Sequence, residues 1–256
     1  MDSNRLRAWA GCGSPVVRLD YAKDMASRGA FIAIEGIDGS GKHTQAEMLG
    51  RAFTARGIPW APVSFPRYET LFGKLIASFL NGEFGKLEAV DAHLSALLYA
   101  GNRFEARPEL EAALAAGKTI LADRYVASNL AHQAARVAPE RREEFIAWLR
   151  QLEYGTYGLP AEDLVIYLRL GATEAQRLVG RKAPREYTAL GHDLQESDLT
   201  HLEKASKVFD RLATGPAWVT IECFDAGVGV VKSVEEIHRA VLAAVDSRAI
   251  LPVAVS

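Results

Sequence analysis

Nine consecutive residues, Gly36-Ile37-Asp38-Gly39-Ser40-Gly41-Lys42-His43-Thr44, have the composition of a phosphate cradle that leads directly into a helix. Glycines at 36, 39 and 41 let the backbone turn so that its N–H groups converge on one concave spot, at the positive end of the helix that follows. An anion is the natural occupant. Lys42 adds a point charge that can reach the outer phosphates of a nucleotide, as in the pattern G-x-x-x-x-G-K-[ST]. That pattern places a hydroxyl after the lysine to meet magnesium, whereas this chain has His43 there, and imidazole is a poor ligand for so hard a cation. Thr44 points about 100° further around the helix and cannot simply replace it, though it can reach an inner phosphate. Two more cations, Arg67 after Phe65-Pro66 and Arg124 after Asp123, exceed what one nucleotide needs. A guanidinium fork matches a phosphate bidentately, so they imply a second phosphate site.

These residues need elements to hold them. Phe31-Ile32-Ala33-Ile34 is a short apolar run of the kind a buried parallel strand shows, and Ala46, Leu49 and Phe53 follow the loop at helical spacing. After a break at Gly57-Ile58-Pro59, a second strand is predicted over 60–65, which puts Arg67 at its carboxyl end. Leu71, Leu75, Ile76, Phe79 and Leu80 predict a helix ended by Asn81-Gly82. A longer helix begins near Asp91 and carries Ser95, Tyr99 and Arg103, four apart, on one face. Pro108 is read as the first turn of a further helix that Gly117 ends. A third strand over 119–122 closes on Asp123-Arg124-Tyr125. A helix over about 140–152, strands over 164–168 and 218–223, and a final helix opened by the capping-box spacing Ser233-Val234-Glu235-Glu236 complete the order. Strands alternating with helices predict an α/β fold with a five-stranded parallel sheet and helices on both faces. Ligands of such sheets collect at the strand carboxyl ends, which gathers residues 36–44, Arg67, Asp123 and Arg124 into one crevice.

At 256 residues and 49% apolar composition the chain fits one domain with a real core, expected over 29–248. A formal net charge of −2 gives no global basic surface, so the expected partner is a small phosphate ester rather than nucleic acid. Cys12 and Cys223 are far apart and make no C-x-x-C, which argues against structural zinc and suits a reducing, cytoplasmic setting. The remaining histidines, at 93, 192, 201 and 238, show no metal spacing. No apolar run approaches the roughly 18 residues of a membrane span. Residues 1–28 lack both periodicity and a continuous apolar h-region, so a disordered extension rather than a signal peptide is expected, which leaves Met25 available as the physiological start. Residues 249–256 are expected to form a tail.

Tyr99 and Arg103 allow two readings: ordinary core and a solvated face, or an aromatic surface and planar donor for a base. Taken with Glu35 and the glycine loop, the segments Phe65-Pro66-Arg67, Leu97-Leu98-Tyr99-Ala100-Gly101-Asn102-Arg103, Asp123-Arg124-Tyr125-Val126-Ala127-Ser128-Asn129, and Asp193 followed by Glu196 resemble, in this order and over about 31–212, the thymidylate kinases. Those enzymes transfer the γ-phosphoryl group of ATP to dTMP. The resemblance implies a three-layer P-loop NTPase fold, ATP and magnesium as requirements, and a homodimer. It implies that Tyr99 stacks on thymine, that Arg103 donates to the base carbonyl, and that Arg124, helped by Arg67, holds the acceptor phosphate beside Ser128. Asn129 is then the residue on the pyrimidine edge and Asp38 the carboxylate near the 3′-hydroxyl. His132 occupies the position of a tyrosine close to the sugar, on the side that excludes a 2′-hydroxyl. Asp38, Asp123 and Glu196 are assigned to metal, sugar or water positioning.

The family's mobile lid resembles residues 178–195, where Arg181, Lys182 and Arg185 follow Arg177 among Gly180, Pro184 and Gly191. Position 39 is glycine, so the loop arginine of some members is missing and the transition-state charge falls to Arg181 or Arg185. Leu194 stands where other members have an arginine. Two competing expectations remain: a kinase for another pyrimidine monophosphate or a deoxynucleoside, or a nucleotide-binding module impaired at His43 and Leu194. A GTPase switch is disfavoured because no N-K-x-D motif is present.

Overall fold

A strand with four apolar residues, all of them buried, belongs in the middle of a sheet, and β1 (Phe31–Glu35) is there. In the computed structural model, which describes residues 28–179, 199–248 and 250–251, β1 pairs in parallel with β3 (Thr119–Asp123) on one side and β4 (Leu164–Arg169) on the other. Outside them lie β2 (Trp60–Ser64) and β5 (Trp218–Glu222), giving a five-stranded sheet of order β2-β3-β1-β4-β5 with every pairing parallel. Pro62 cannot donate to a ladder, and it is tolerated because β2 is an edge strand paired only with β3.

Parallel neighbours require crossovers, and helices supply them. They are α1 (Lys42–Ala55), α2 (Leu71–Leu80), α3 (Ala92–Ala115), α4 (Val126–Ala134), α5 (Arg142–Arg150), α6 (Ala172–Val179), α7 (Leu199–Leu212) and α8 (Val234–Asp246). α1 packs with α8, while α3, α4 and α7 form a second group, so both faces of the sheet are covered around one main core. A smaller cluster of Ile76, Phe79, Leu80 and Leu87 joins α2 to Leu98 and Tyr99 of α3. Ser233 and Glu236 make both reciprocal bonds of the expected capping box at α8.

Three local features differ from expectation. Pro108 does not open a new helix: α3 runs through it, because Pro108 is exposed and the carbonyl that loses its donor belongs to the exposed Phe104. The helix expected over 140–152 is a 3₁₀ turn (Pro139–Arg141), then α5, then a π-helical turn (Gln151–Thr156) that buries Glu153. A small antiparallel pair, β6 (Phe224–Asp225) and β7 (Val230–Val231), was not anticipated, since two-residue strands carry no periodic signal. The lid residues Arg181, Lys182 and Arg185, together with Glu196, most of the N-terminal extension and most of the tail, lie outside the described residues. No described helix is long and apolar enough to cross a membrane.

Candidate active site

The turn between β1 and α1 is built by glycines with positive φ, and at Gly39 a side chain would also clash with backbone. Gly39 has φ +88°, and a Cβ there would lie 2.1 Å from the carbonyl oxygen of Ala175 in α6. Gly41 has φ +91° and is the N-cap of α1, with open space where a side chain would be. No side chain caps this helix and no acid occupies its first turn, so its leading N–H groups and positive dipole end face the cleft. Lys42 is buried with Nζ 2.9 Å from the carbonyl oxygen of Ile37, and Ser40 Oγ is buried without a hydrogen-bond partner. His43 is 70% exposed; its Nδ1 lies 3.3 Å from Asp123 Oδ2 and its Nε2 3.4 Å from Glu47. Thr44 is exposed on α1.

Arg124 follows β3 with φ +68°, a left-handed conformation that costs a non-glycine residue on the order of 1 kcal/mol and that the surrounding structure must enforce. Its N–H donates to the carbonyl of Ile34 at 3.1 Å. The guanidinium pairs through Nη2 with Asp38, and Nη1 donates to Ser128 Oγ at 3.1 Å and to the carbonyl of Gly36 at 3.4 Å. Burial opposes the charged form, but Asp38, then Asp123 and Glu35, more than compensate and raise the pKa above the usual arginine range. Beneath it, the fully buried Glu35 accepts from Tyr125 N at 2.7 Å, Ser128 N at 3.2 Å and Ser128 Oγ at 2.6 Å. Burial raises the pKa of Glu35, with Ser128 and Arg124 acting against the rise. It therefore fixes the start of α4, and with it Ser128, a role the sequence reading did not assign. The signal was present as an acid ending an otherwise apolar, buried strand.

Asp38, Tyr99, Arg103, Arg124, Ser128, Asn129 and His132, all expected at the substrate, line one pocket. Arg103 is bonded by Glu153, through Nε at 2.8 Å and through Nη2. Burial opposes this cation too, and the Glu153 carboxylate more than offsets the loss, so its pKa is raised. Asn129 Nδ2 donates to the carbonyl of Ala96 at 3.0 Å and to Glu153 Oε1 at 2.8 Å, and its Oδ1 has no partner. His132 Nδ1 lies 3.2 Å from His201 Nε2, and its Nε2 is buried without a partner. Burial first, then the charge of Arg124, push its pKa well below the usual value, so the ring is neutral at physiological pH.

A second cleft adjoins this pocket and is lined by Gly41, Lys42, His43 and Asp123, and the two share Asp38 and Arg124. Arg67 is not brought to either. Its guanidinium bonds Glu69 at 3.1 Å and Glu109 at 2.7 Å, because Pro66 and Tyr68 take the two inward positions on either side of it. Tyr68 lines both cavities and the sequence reading missed it; the inward and outward alternation beyond β2 was the available signal.

A family model described as Thymidylate kinase matches residues 34–237, well over half of the chain. The chain belongs to the thymidylate kinase family. It is 33% identical over 195 residues to the thymidylate kinase of Mycobacterium tuberculosis (strain CDC 1551 / Oshkosh), covering 75% of this chain and 90% of that one. It is 32% identical over 217 residues to the human thymidylate kinase, covering 84% and 88%. The solved thymidylate kinase of Candida albicans superposes with a TM-score of 0.66 at 23% identity, over 86% of this chain and 92% of that one, which bears on the fold alone. As a thymidylate kinase the protein is a phosphotransferase of the dTMP kinase type, and ATP is the phosphoryl donor of the family.

Proposed function

We propose that this thymidylate kinase transfers the γ-phosphoryl group of ATP to dTMP, giving dTDP and ADP, across two anion sites that meet at Asp38 and Arg124. The observation that carries this reading is the presence of those two residues in the walls of both cavities. The loop 36–44 and Lys42 take the ATP phosphates. Arg124 and Ser128 Oγ take the dTMP phosphate, with the sugar beside Asp38 and His132 and the base against Tyr99. Phosphoryl transfer asks the protein for in-line placement and for cations around the equatorial oxygens. The acceptor is already an oxyanion, so no strong general base is required.

Magnesium is held in such sites by one or two carboxylates together with phosphate oxygens and water. Asp123, at the end of β3 and beside the cradle, is the oxygen donor that fits, while Asp38 is engaged by Arg124. When bound there, the ion would neutralise and align the β and γ oxygens. Glu196, Arg181 and Arg185 are carried in this proposal by the family resemblance, as is a homodimer, while a cytoplasmic setting rests on the sparse, widely separated cysteines. His43 lines the rim of the cradle cleft but is 70% exposed, so exchanging it disturbs the site little. His43→Ser is expected to keep kcat within about tenfold, a barrier change of about 1.4 kcal/mol. A hundredfold gain would show that the natural residue handicaps the enzyme.

The test is a coupled ADP-release assay with magnesium ATP and dTMP, dUMP, dCMP, UMP and thymidine in parallel. The highest kcat/KM is expected for dTMP, with no turnover of thymidine, which lacks the phosphate that Arg124 holds. Tight ATP binding with no transfer to any acceptor would instead support an impaired nucleotide-binding module.

A further inference from the structure

We propose that Glu153 is a positioning residue that fixes the hydrogen-bond polarity of the base pocket and thereby decides which pyrimidine edge is accepted. This rests on the reading of Tyr99, Arg103 and Asn129 as the base site. Glu153 is not part of the pocket wall. It lies behind the wall on the π-helical turn, with a side-chain exposure of 0%, and Arg103 above it is 3% exposed.

A carboxylate can only accept hydrogen bonds, so whatever bonds to Glu153 must turn a donor toward it. Arg103 does so with Nε and Nη2, and the described hydrogen bonds of this side chain leave Nη1 uncommitted. Asn129 does so with Nδ2, which also donates to the carbonyl of Ala96, another pure acceptor. An amide can be turned over in most settings, but with two acceptors at one end the assignment here is forced. Its Oδ1 is therefore left on the other side, buried and without a partner. Both residues line the pocket, so what this arrangement leaves them to offer a base is a donor from Arg103 and an acceptor from Asn129.

Thymine and uracil carry the complement, a carbonyl O4 that accepts next to an N3–H that donates. Cytosine carries the reverse, an amino group at position 4 and a bare N3, so it would set donor against donor and acceptor against acceptor. Such mismatches discriminate far more strongly than a missing methyl, because they leave buried polar groups unpaired. Asn129 alone could adapt to cytosine by turning over; Glu153, together with the Ala96 carbonyl, prevents it.

Glu153→Gln tests this, since the new amide group offers a donor where only an acceptor stood and removes the stronger of the two constraints on Asn129, leaving only the Ala96 carbonyl to oppose its reversal. The kcat/KM values for dTMP, dUMP and dCMP are compared in the intact enzyme, with dCMP also titrated as a competitive inhibitor of dTMP turnover. The expected result is a dTMP to dCMP ratio at least tenfold smaller, through a higher KM for dTMP. The dTMP to dUMP ratio, kcat at saturation and the KM for ATP should each stay within threefold. Loss of activity on all three nucleotides together, or an unchanged dTMP to dCMP ratio, would overturn the proposal. Should the variant fail to fold around a buried lone cation, Glu153→Asp keeps the charge but is one methylene short of spanning both partners. A ratio reduced at least threefold is expected there, and a full wild-type ratio in this variant counts equally against the proposal. Arg103→Gln and Asn129→Ala separate the two levels of the argument. If neither changes the ratio, the base-site reading is wrong; if they compress it while both Glu153 variants preserve it, only the role of Glu153 is wrong.

Discussion

Arg124→Lys should lower kcat/KM for dTMP about a thousandfold, equivalent to about 4 kcal/mol, while leaving the KM for ATP within threefold. Lysine keeps the positive charge and adopts the same left-handed backbone at similar cost, so the fold and the ion pair with Asp38 both have a route to survive. What disappears is the fork. The guanidinium reaches Asp38 with one nitrogen and Ser128 Oγ with the other, and an ammonium cannot span both. Each charge-assisted bond to a phosphate is worth about 1.5–3 kcal/mol, and the misplaced acceptor adds to the loss. Initial rates over a dTMP titration at saturating ATP decide the matter, and a deficit below tenfold would mean that this residue does not hold the acceptor.

Lys42→Met should have the larger effect on the chemical step, a fall in kcat of about three to five orders of magnitude, the range observed when one cation is withheld from a transferring phosphoryl group. Methionine matches the buried stem, so stability should change little: Lys42 is 6% exposed and the part that packs is aliphatic. Its Nζ rests 2.9 Å from the carbonyl of Ile37, within the loop itself, which places the charge at the mouth of the cradle. Affinity for dTMP should be unaffected, because Lys42 lines the cradle cleft and not the base pocket. Single-turnover transfer from γ-labelled ATP, together with equilibrium binding of dTMP, measures both quantities. A loss of less than a hundredfold would remove Lys42 from the transfer step.

The glycine loop was readable because its requirements are local: a buried apolar run, three glycines and a lysine within a dozen residues fix the strand, the turn and the helix dipole together. Tyr99 and Arg103 were readable for a similar reason, since one helical turn separates them, and the structure puts both in one wall. Glu153 was not. It lies 50 residues from Arg103 in a segment whose periodicity reads as ordinary helix, and nothing local announces a π turn or a buried acid. Glu35 was legible as a strand end but not as an anchor, because its partners Tyr125 and Ser128 are about 90 residues away. Arg67 shows the opposite error. Its position at a strand's carboxyl end was right, but the direction of its side chain depends on acids at 69 and 109 that pattern reading does not connect to it. Pro108 misled because proline's penalty was applied without knowing that the orphaned carbonyl faces water.

If Arg124 holds the acceptor as proposed, its ion pair with Asp38 also changes what kind of event dTMP binding is. On the proposed reading of Arg124 the guanidinium already grips a resident counter-ion, so an arriving phosphate would exchange with a carboxylate instead of ordering a wandering side chain. Swapping partners in this way narrows the field of eligible anions, since a singly charged, weakly hydrogen-bonding ion such as chloride has little with which to displace Asp38. A dianionic phosphate monoester, with three oxygens to offer the fork, does.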